Sequence, residues 1–240
     1  MRIYGPRLQL FRHTAHGDRP MKIPFSIYDF FGYLASGFLL CVALDYCLDA
    51  NWLMRDKPPV AHMAFWIVAA YIVGHINANL SSWVLEERLV GSLLGRPNTN
   101  LFGVAPETKG WLRKRLQHWL PTVFRGYFVP LPKRVQERIS DRATVEGKPL
   151  EGEALFHHVR TLTKRDQVTW GNVQSFFHLY GFCRNISFAL LLTTLLLAAH
   201  GCWALVAVSL IGSVGMLYRY LKFYRQYSYE MFTAYPDLPN

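Results

Sequence analysis

The sequence has few cysteines and lacks the common motifs of enzymes. Only four cysteines occur in 240 residues, too few for a disulfide scaffold, and they have no metal-ligand spacing. No Walker loop, GxGxxG, HExxH or CxxC is present, so the best-known nucleotide, dinucleotide and zinc signatures are missing. We therefore predict no catalytic residues, no metal site and no cofactor.

Charged residues are absent from three long stretches of the chain. Residues 30–44, 60–85 and 185–218 contain no Asp, Glu, Lys or Arg, although these make up 18% of the whole chain. A helix needs about 20 apolar residues to cross the hydrocarbon core of a bilayer. Together with a hydrophobic content of 51%, these stretches exclude a disordered chain. They predict an all-α integral membrane protein.

The longest uncharged stretch, residues 185–218, has two interpretations. As one helix, its 34 residues would measure about 51 Å, too long for an ordinary bilayer. As a hairpin that turns at His200, Gly201 and Cys202, it supplies two short spans. We favour the hairpin, which predicts four spans in two hairpins, residues 26–85 and 184–218.

The basic residues determine the predicted orientation. Lys and Arg number five in residues 1–25, fifteen in residues 86–183 and three from Arg219 onward. With four spans these segments share one side, which the positive-inside rule identifies as the cytoplasm. We predict a multi-pass protein of a bacterial inner membrane with both termini cytoplasmic. It has a basic lead-in (1–25), a basic cytosolic insert (86–183) and a helical tail (219–240).

The pattern of the insert predicts mainly helices. Residues 110–128 place aromatic and apolar side chains on one helical face and basic ones on the other, as interfacial helices do. The same pattern fits a solvated face over an ordinary core, or a face that holds an anionic ligand, with aromatics stacking bases. Residues 133–143 predict a short helix and residues 126–131 a short strand. The candidate anion-binding residues are Trp111, Arg113, Lys114, Arg115, Trp119, Lys133, Arg134 and Arg138.

The second span carries a stripe of polar residues. Its members recur every three or four positions, which keeps them on one helical face; they are Tyr71, His75, Asn79, Ser82 and Glu86. Because polar groups that face lipid are costly, the stripe should face protein or water. It either packs the bundle by hydrogen bonds or, in a symmetric homo-oligomer, lines a pore. Ser209 and Ser213 predict close helix packing in the fourth span.

One short motif is similar to an enzyme signature. Arg113 and His118 are separated by four residues, as in the R-x4-H motif of HEPN-type ribonucleases, whose Arg and His act on the scissile phosphate. Lys114 stands where that motif usually has a polar residue after the Arg, and such short spacings also occur by chance. A membrane-associated nuclease is therefore a third, minor hypothesis.

The layout of two membrane hairpins around a basic insert resembles the small multi-pass effectors of bacterial anti-phage operons, such as the membrane subunits of the Hailong and Kiwa systems. The stretch YDFFGYLASGF (residues 28–38) and the Arg-rich insert carry this resemblance, which is one of layout over the whole chain. It implies an oligomeric membrane protein that conducts ions on a cytosolic cue or senses phage attack.

From the residues and this resemblance, we expect a tetramer-like homo-oligomer in contact with membrane lipid. The leading hypothesis is an ion channel or membrane-disrupting pore gated by a nucleotide or short single-stranded nucleic acid, since a basic surface binds phosphates without reading sequence. The alternative is a non-conducting sensor or adaptor whose insert recruits an operon-encoded cytosolic partner.

Overall fold

The computed structural model describes residues 27–52, 59–104, 119, 120, 122–145 and 148–238. In chain order its elements are α1 (Ile27–Cys47), α2 (Val60–Ser81) continued by a π-helix (Ser82–Leu94), α3 (Pro97–Asn100), a 3-10 turn (Arg125–Tyr127), α4 (Lys133–Arg142), β1 (Thr144–Val145), β2 (Lys148–Pro149), α5 (Gly152–Thr163), α6 (Gln167–Ala199), α7 (Trp203–Ala234) and a final 3-10 turn (Tyr235–Asp237). The fold is therefore helical, as the sequence predicts.

Among the described residues, four helices are long and apolar enough to cross a membrane, the number that the sequence predicts. They are Phe30–Cys47, Val60–Asn100, Gln167–Ala199 and Trp203–Asp237. α6 has 33 residues and α7 has 32, which at the α-helical rise makes each about 50 Å long. Both helices therefore extend well beyond a hydrocarbon core of about 30 Å.

The longest uncharged stretch forms the predicted helical hairpin. Gly201, in the turn between α6 and α7, has a φ of 74°, a left-handed conformation that glycine adopts readily. The hydroxyls of Ser187 and Ser213 each donate to the other residue's carbonyl oxygen at 2.9 Å. The hydroxyls of Thr194 and Ser209 lie 2.9 Å apart. Ser209 and Ser213 thus hold the two helices together, which confirms their predicted packing role.

The first hairpin is held by a close approach of two glycines to backbone. A Cβ atom on Gly37 would lie 1.7 Å from the carbonyl oxygen of Ala70, and one on Gly74 would lie 1.9 Å from that of Tyr33. No other residue fits at either position, so these glycines allow α1 and α2 to touch along their backbones. α1 also packs along α6, and α6 along α7.

A buried hydrophobic core begins at the ends of the uncharged stretches, with Leu85 and Phe188, and continues into the insert and the tail. It joins the extended ends of α6 and α7 to the short helices of the insert. Its fully buried members include Leu101, Ile139, Val159, Val173, Tyr220, Met231 and Phe232. The insert and the tail, which the sequence divides into separate segments, therefore share one hydrophobic core.

Two local expectations have different outcomes. The tail continues the last span as one helix to Ala234, as predicted. The strand predicted over residues 126–131 is wrong, because Arg125–Tyr127 form a 3-10 turn. After that turn, one backbone bond, from Leu131 N to Leu101 O at 2.8 Å, ties the segment to the core. A short antiparallel pair forms instead between β1 and β2.

Candidate functional site at the junction of the spans and the insert

An ion pair between Glu86 and Arg184 joins the second and third candidate spans. Nη1 of Arg184 donates to Oε2 of Glu86, and the two side chains are only 14% and 25% exposed for Arg184 and Glu86 respectively. Ser82 Oγ donates to the same carboxylate oxygen at 3.4 Å. The positions are 98 residues apart in sequence. A partly buried charge pair of this kind is expensive to desolvate, so it marks a candidate site.

The side-chain oxygen of Asn185 extends this pair into a polar network. Arg184 donates to it from Nε and Nη2, each at 3.4 Å, and Ser81 Oγ donates to it at 2.8 Å. Asn77 Nδ2 donates to the backbone oxygen of Asn185 at 3.0 Å. Asn77 and Ser81 are buried, and Oδ1 of Asn77 has no hydrogen-bond partner within the described chain. The network therefore runs from Glu86 into the packed interior of the spans.

A π-helix of 13 residues, Ser82–Leu94, continues α2 and contains Glu86. π-Helical turns are rare and frequently occur at functional sites. The last carbonyl groups of a helix lack partners within it, and here the insert supplies them. Asn100 Nδ2 donates to Leu94 O at 3.0 Å and to Gly95 O at 3.2 Å, and the Tyr127 hydroxyl donates to Gly95 O at 2.8 Å. The end of this helix is thus attached to the insert.

Four tyrosines of α6 and α7, here called the tyrosine cluster, pack beside the network: Tyr180, Tyr220, Tyr224 and Tyr227. The rings of Tyr180 and Tyr224 are stacked, with centroids 4.8 Å apart. The buried hydroxyl of Tyr220 has no hydrogen-bond partner within the described chain. The cluster fills the space between the candidate spans and the shared core with aromatic rings and polar tips.

Tyr127 connects the tyrosine cluster to the insert, and nearby groups shift the pKa of its phenol. Burial raises the pKa of Tyr127 well above its usual value, and the nearby Tyr224 and the negative charge of Glu86 raise it further. Its phenol therefore stays protonated over the physiological range, and it remains a hydrogen-bond donor to Gly95.

The five residues of the predicted polar stripe do not share one environment. His75 stacks on the ring of Tyr33, with centroids 4.1 Å apart, and Tyr71 also packs on Tyr33 at 6.3 Å. Asn79 is exposed. Ser82 and Glu86 belong to the polar network, because the helix changes to π geometry at Ser82 and its phase shifts.

The buried face of the second span is a neighbouring one that sequence reasoning missed. It contains Ala70, Gly74, Asn77, Ala78 and Ser81. The available signal was the polar residue Asn185 directly after Arg184, at the start of the uncharged stretch. A lone polar residue there requires a partner on another helix.

The predicted anion-binding residues are only partly described. Trp111, Arg113, Lys114 and Arg115, and His118 of the R-x4-H motif, lie outside the described residues. Trp119, Lys133 and Arg134 are exposed. Arg138 Nη2 donates to Asp237 Oδ1 at 2.5 Å, where the two side chains are 54% and 69% exposed. An anion at Arg138 would have to compete with that carboxylate.

A large apolar cavity of about 1320 Å³ opens between the two hairpins, at the end where α6 turns into α7. Its lining includes the apolar side chains of Phe38, Leu39 and Leu197 and the polar side chains of Asp45 and His62. Its chemistry suits acyl chains or an apolar helix. Within the described ranges, no three His, Cys, Asp or Glu side chains form a possible metal site, and all four cysteines are free thiols.

Together these features define a helical protein with four candidate membrane spans and a polar network where the spans meet the insert. In comparisons with known proteins, no family model matches the chain, and neither a curated protein nor a solved structure matches it.

Proposed function

We propose that the protein is an oligomeric membrane effector that conducts ions or opens a pore when its basic insert binds an anionic cytosolic ligand. The polar network around Glu86 and Arg184 is the observation that carries this proposal. Ionisable and amide side chains within membrane helices are costly, and they commonly form ion pathways. Here they lie on two different candidate spans and continue towards the insert.

The exposure of Asn79 supports the oligomeric part of the proposal. Its side chain is exposed on α2, within a helix whose neighbouring large side chains, such as Ile76 and Leu80, are apolar and exposed. An amide that faces lipid has no hydrogen-bond partner there. A second copy of the chain would supply one, and symmetric association would place the Asn79 side chains around a common axis.

The attachment of the π-helix to the insert supports the gating part. Asn100 and Tyr127 belong to the insert, and both bond carbonyls at the end of this helix. A ligand shifts a conformational equilibrium only if it binds the two states with different affinity. A ligand that moves the insert would therefore also displace the helix that carries Glu86.

The proposed ligand is a nucleotide or a short single-stranded nucleic acid. Lys133 and Arg134 are exposed at the start of α4 and lie in a part of the chain with excess positive charge, fifteen Lys and Arg against nine Asp and Glu over residues 86–183. Phosphates bind such surfaces through release of counterions. A role in anti-phage defence, which the layout suggests, belongs to the same proposal.

A non-conducting adaptor is the second candidate, and the placement of Tyr71 and His75 favours it. Both side chains pack on Tyr33 inside the first hairpin, so this part of the stripe serves helix packing within one chain. In this alternative, the polar network fixes the bundle, and the insert holds an anionic partner without any ion flux.

Ion flux through liposomes that contain the full chain tests the two functions against each other. Flux is measured with ATP, with a short oligothymidylate and with neither, for the wild type, Glu86→Gln and a matched control, Glu153→Gln. The control removes the carboxylate of an exposed pair, in which Glu153 lies 3.5 Å from Arg96. We expect the wild type to show ligand-dependent ion flux. The rate of this flux should differ from wild type in Glu86→Gln and equal it in Glu153→Gln. An intact oligomer that binds either ligand without flux would support the adaptor instead.

A further inference from the structure

A short segment of the insert exposes apolar side chains where a soluble domain would have polar ones. Residues 119, 120, 122 and 123 are helical, and Phe124 N bonds Leu120 O at 2.8 Å. Leu120 and Phe124 face the shared core. Trp119 and Val123, four positions apart on another face, are each 64% exposed. The segment therefore has an apolar face inside and a second apolar face outside.

Contacts with α7 locate this segment at the end of a candidate span. The ring of Phe124 stacks on that of Tyr218, with centroids 6.4 Å apart. Tyr218 is the last residue of the uncharged stretch, and Arg219 is the first charge after it. Arg225 Nη2 also donates to Val129 O at 2.9 Å, which fastens the chain just after the segment to α7. The outer apolar face thus lies at the level where α7 leaves the apolar region.

Three basic side chains lie close in sequence to the stacked rings of Phe124 and Tyr218. Arg125 follows Phe124, and Arg219 follows Tyr218, so the stacked rings are each followed by a cation. Lys222 lies one helical turn beyond Arg219 and is exposed, as are Arg125 and Arg219. Aromatic side chains beside Lys and Arg at a membrane boundary match the chemistry of anionic head groups above an acyl layer.

We propose that Trp119, Val123, Arg125, Arg219 and Lys222 form a patch that docks on anionic phospholipid at the membrane surface. Trp119 and Val123 enter the boundary between head groups and acyl chains, and the three cations contact head-group phosphates. The occupant is lipid because the segment packs on Tyr218 of α7 through Phe124. Tyr218 and Val214, one helical turn before it, are exposed apolar side chains, which face lipid if α7 spans. This inference depends on α7 spanning the bilayer and is independent of ion conduction.

Photo-crosslinking in nanodiscs tests the patch. p-Benzoylphenylalanine replaces Val123 in one full-length protein and Val168 in a matched control. Val168 is 77% exposed, and it lies on α6 about 24 Å along the helix from Arg184. Nanodiscs contain phosphatidylcholine with phosphatidylglycerol, and mass spectrometry identifies the adducts. Both positions are exposed valines, and the size-exclusion profile and melting temperature verify that each variant folds.

We expect lipid adducts at position 123, with phosphatidylglycerol enriched over its share of the bilayer, and none at position 168. In a second variant, Arg125→Gln with Arg219→Gln and Lys222→Gln, the adducts should persist while the enrichment is lost. Adducts between two chains at position 123 would assign the face to a second copy and overturn the proposal. A lack of lipid adducts there would also overturn it. Adducts without phosphatidylglycerol enrichment in the wild-type background would overturn the anionic-lipid assignment.

Discussion

Removal of either member of the Glu86–Arg184 pair should destabilise the protein far more than removal of an exposed pair. In Glu86→Gln, the guanidinium of Arg184 stays mostly buried, and the Asn185 oxygen 3.4 Å away remains its partner in the network. Breaking a buried ion pair costs about 3–5 kcal/mol because one charge is left uncompensated. With side chains still 14% and 25% exposed, we expect about 2–4 kcal/mol after allowance for solvent screening.

Thermal unfolding of the purified full chain in one detergent measures this effect. For a chain of this size, 1 kcal/mol corresponds to about 2–4 °C in melting temperature. The expected loss of stability should therefore lower the melting temperature of each single variant by roughly 4–16 °C. Arg96→Gln and Glu153→Gln are the matched controls, because that pair is 3.5 Å apart but 51% and 69% exposed. An exposed pair contributes about 0–1 kcal/mol, which predicts a loss of at most about 4 °C.

The double variant Glu86→Gln with Arg184→Gln tests the reasoning directly. It removes both charges together and leaves two amides that can bond each other and Asn185, so no buried charge remains. We expect it to be more stable than the sum of the single variants predicts, by about 1–3 kcal/mol, as coupled neighbours are. If the stability lost in the double variant equals the sum of the losses in the two single variants, the two side chains are not paired. Losses equal to those of the Arg96 and Glu153 controls would refute the burial of the pair.

Three further measurements follow from the described residues. Gly37→Ala or Gly74→Ala should separate α1 from α2, since the new Cβ would lie within 1.9 Å of a facing carbonyl oxygen, and such overpacking costs about 1–3 kcal/mol or more. Gly171→Ala is the control, because Gly171 has open space around it. A melting temperature equal to that of the control would contradict the close contact. Hydrogen bonds from the Thr169 side chain and backbone lower the pKa of Asp166, so the ionised carboxylate stabilises α6 above its unfolded-state pKa, and this stabilisation is lost as pH falls through the folded-state pKa. The difference in melting temperature between wild type and Asp166→Ala should therefore shrink below about pH 4. A difference that stays constant with pH would exclude a role for the ionised carboxylate. Maleimide should modify Cys202 first in the folded protein, because the other three thiols are buried, and equal rates at all four, read by peptide mass spectrometry, would contradict that burial.

The four candidate spans were predictable because a lipid bilayer imposes a constraint that composition reveals. A helix that crosses a bilayer excludes charge over about 20 residues, so the missing charges in residues 60–85 and 185–218 reveal helices without any tertiary information. The turn at Gly201 followed from length, since one helix over the longest stretch would exceed the bilayer. The helical tail was predicted as a continuation of the fourth span, and its aromatic and basic residues fit a membrane boundary.

The polar network was not predictable in the same way, because it depends on helix phase and on long-range pairing. Asn77 and Asn79 are two positions apart, so they lie on different faces of α2, and only packing against α1 and α6 decides that Asn77 is buried. The change to π geometry at Ser82 then shifts the phase of Glu86. No local sequence pattern indicates that Glu86 contacts Arg184, because this contact requires the two hairpins to be in register.

The shared core connects the insert directly to the candidate spans. A linker of flexible chain between two domains would let the insert move without consequence for the helices. Here, however, α6 and α7 run without a break from the uncharged stretches into that core, and Tyr127 and Asn100 grip the end of the π-helix. A displacement of the insert must therefore either break buried contacts or move the helices that carry Glu86 and Arg184. In the proposed function, this continuity would make the junction, rather than the exposed basic surface alone, the place where ligand binding changes the spans.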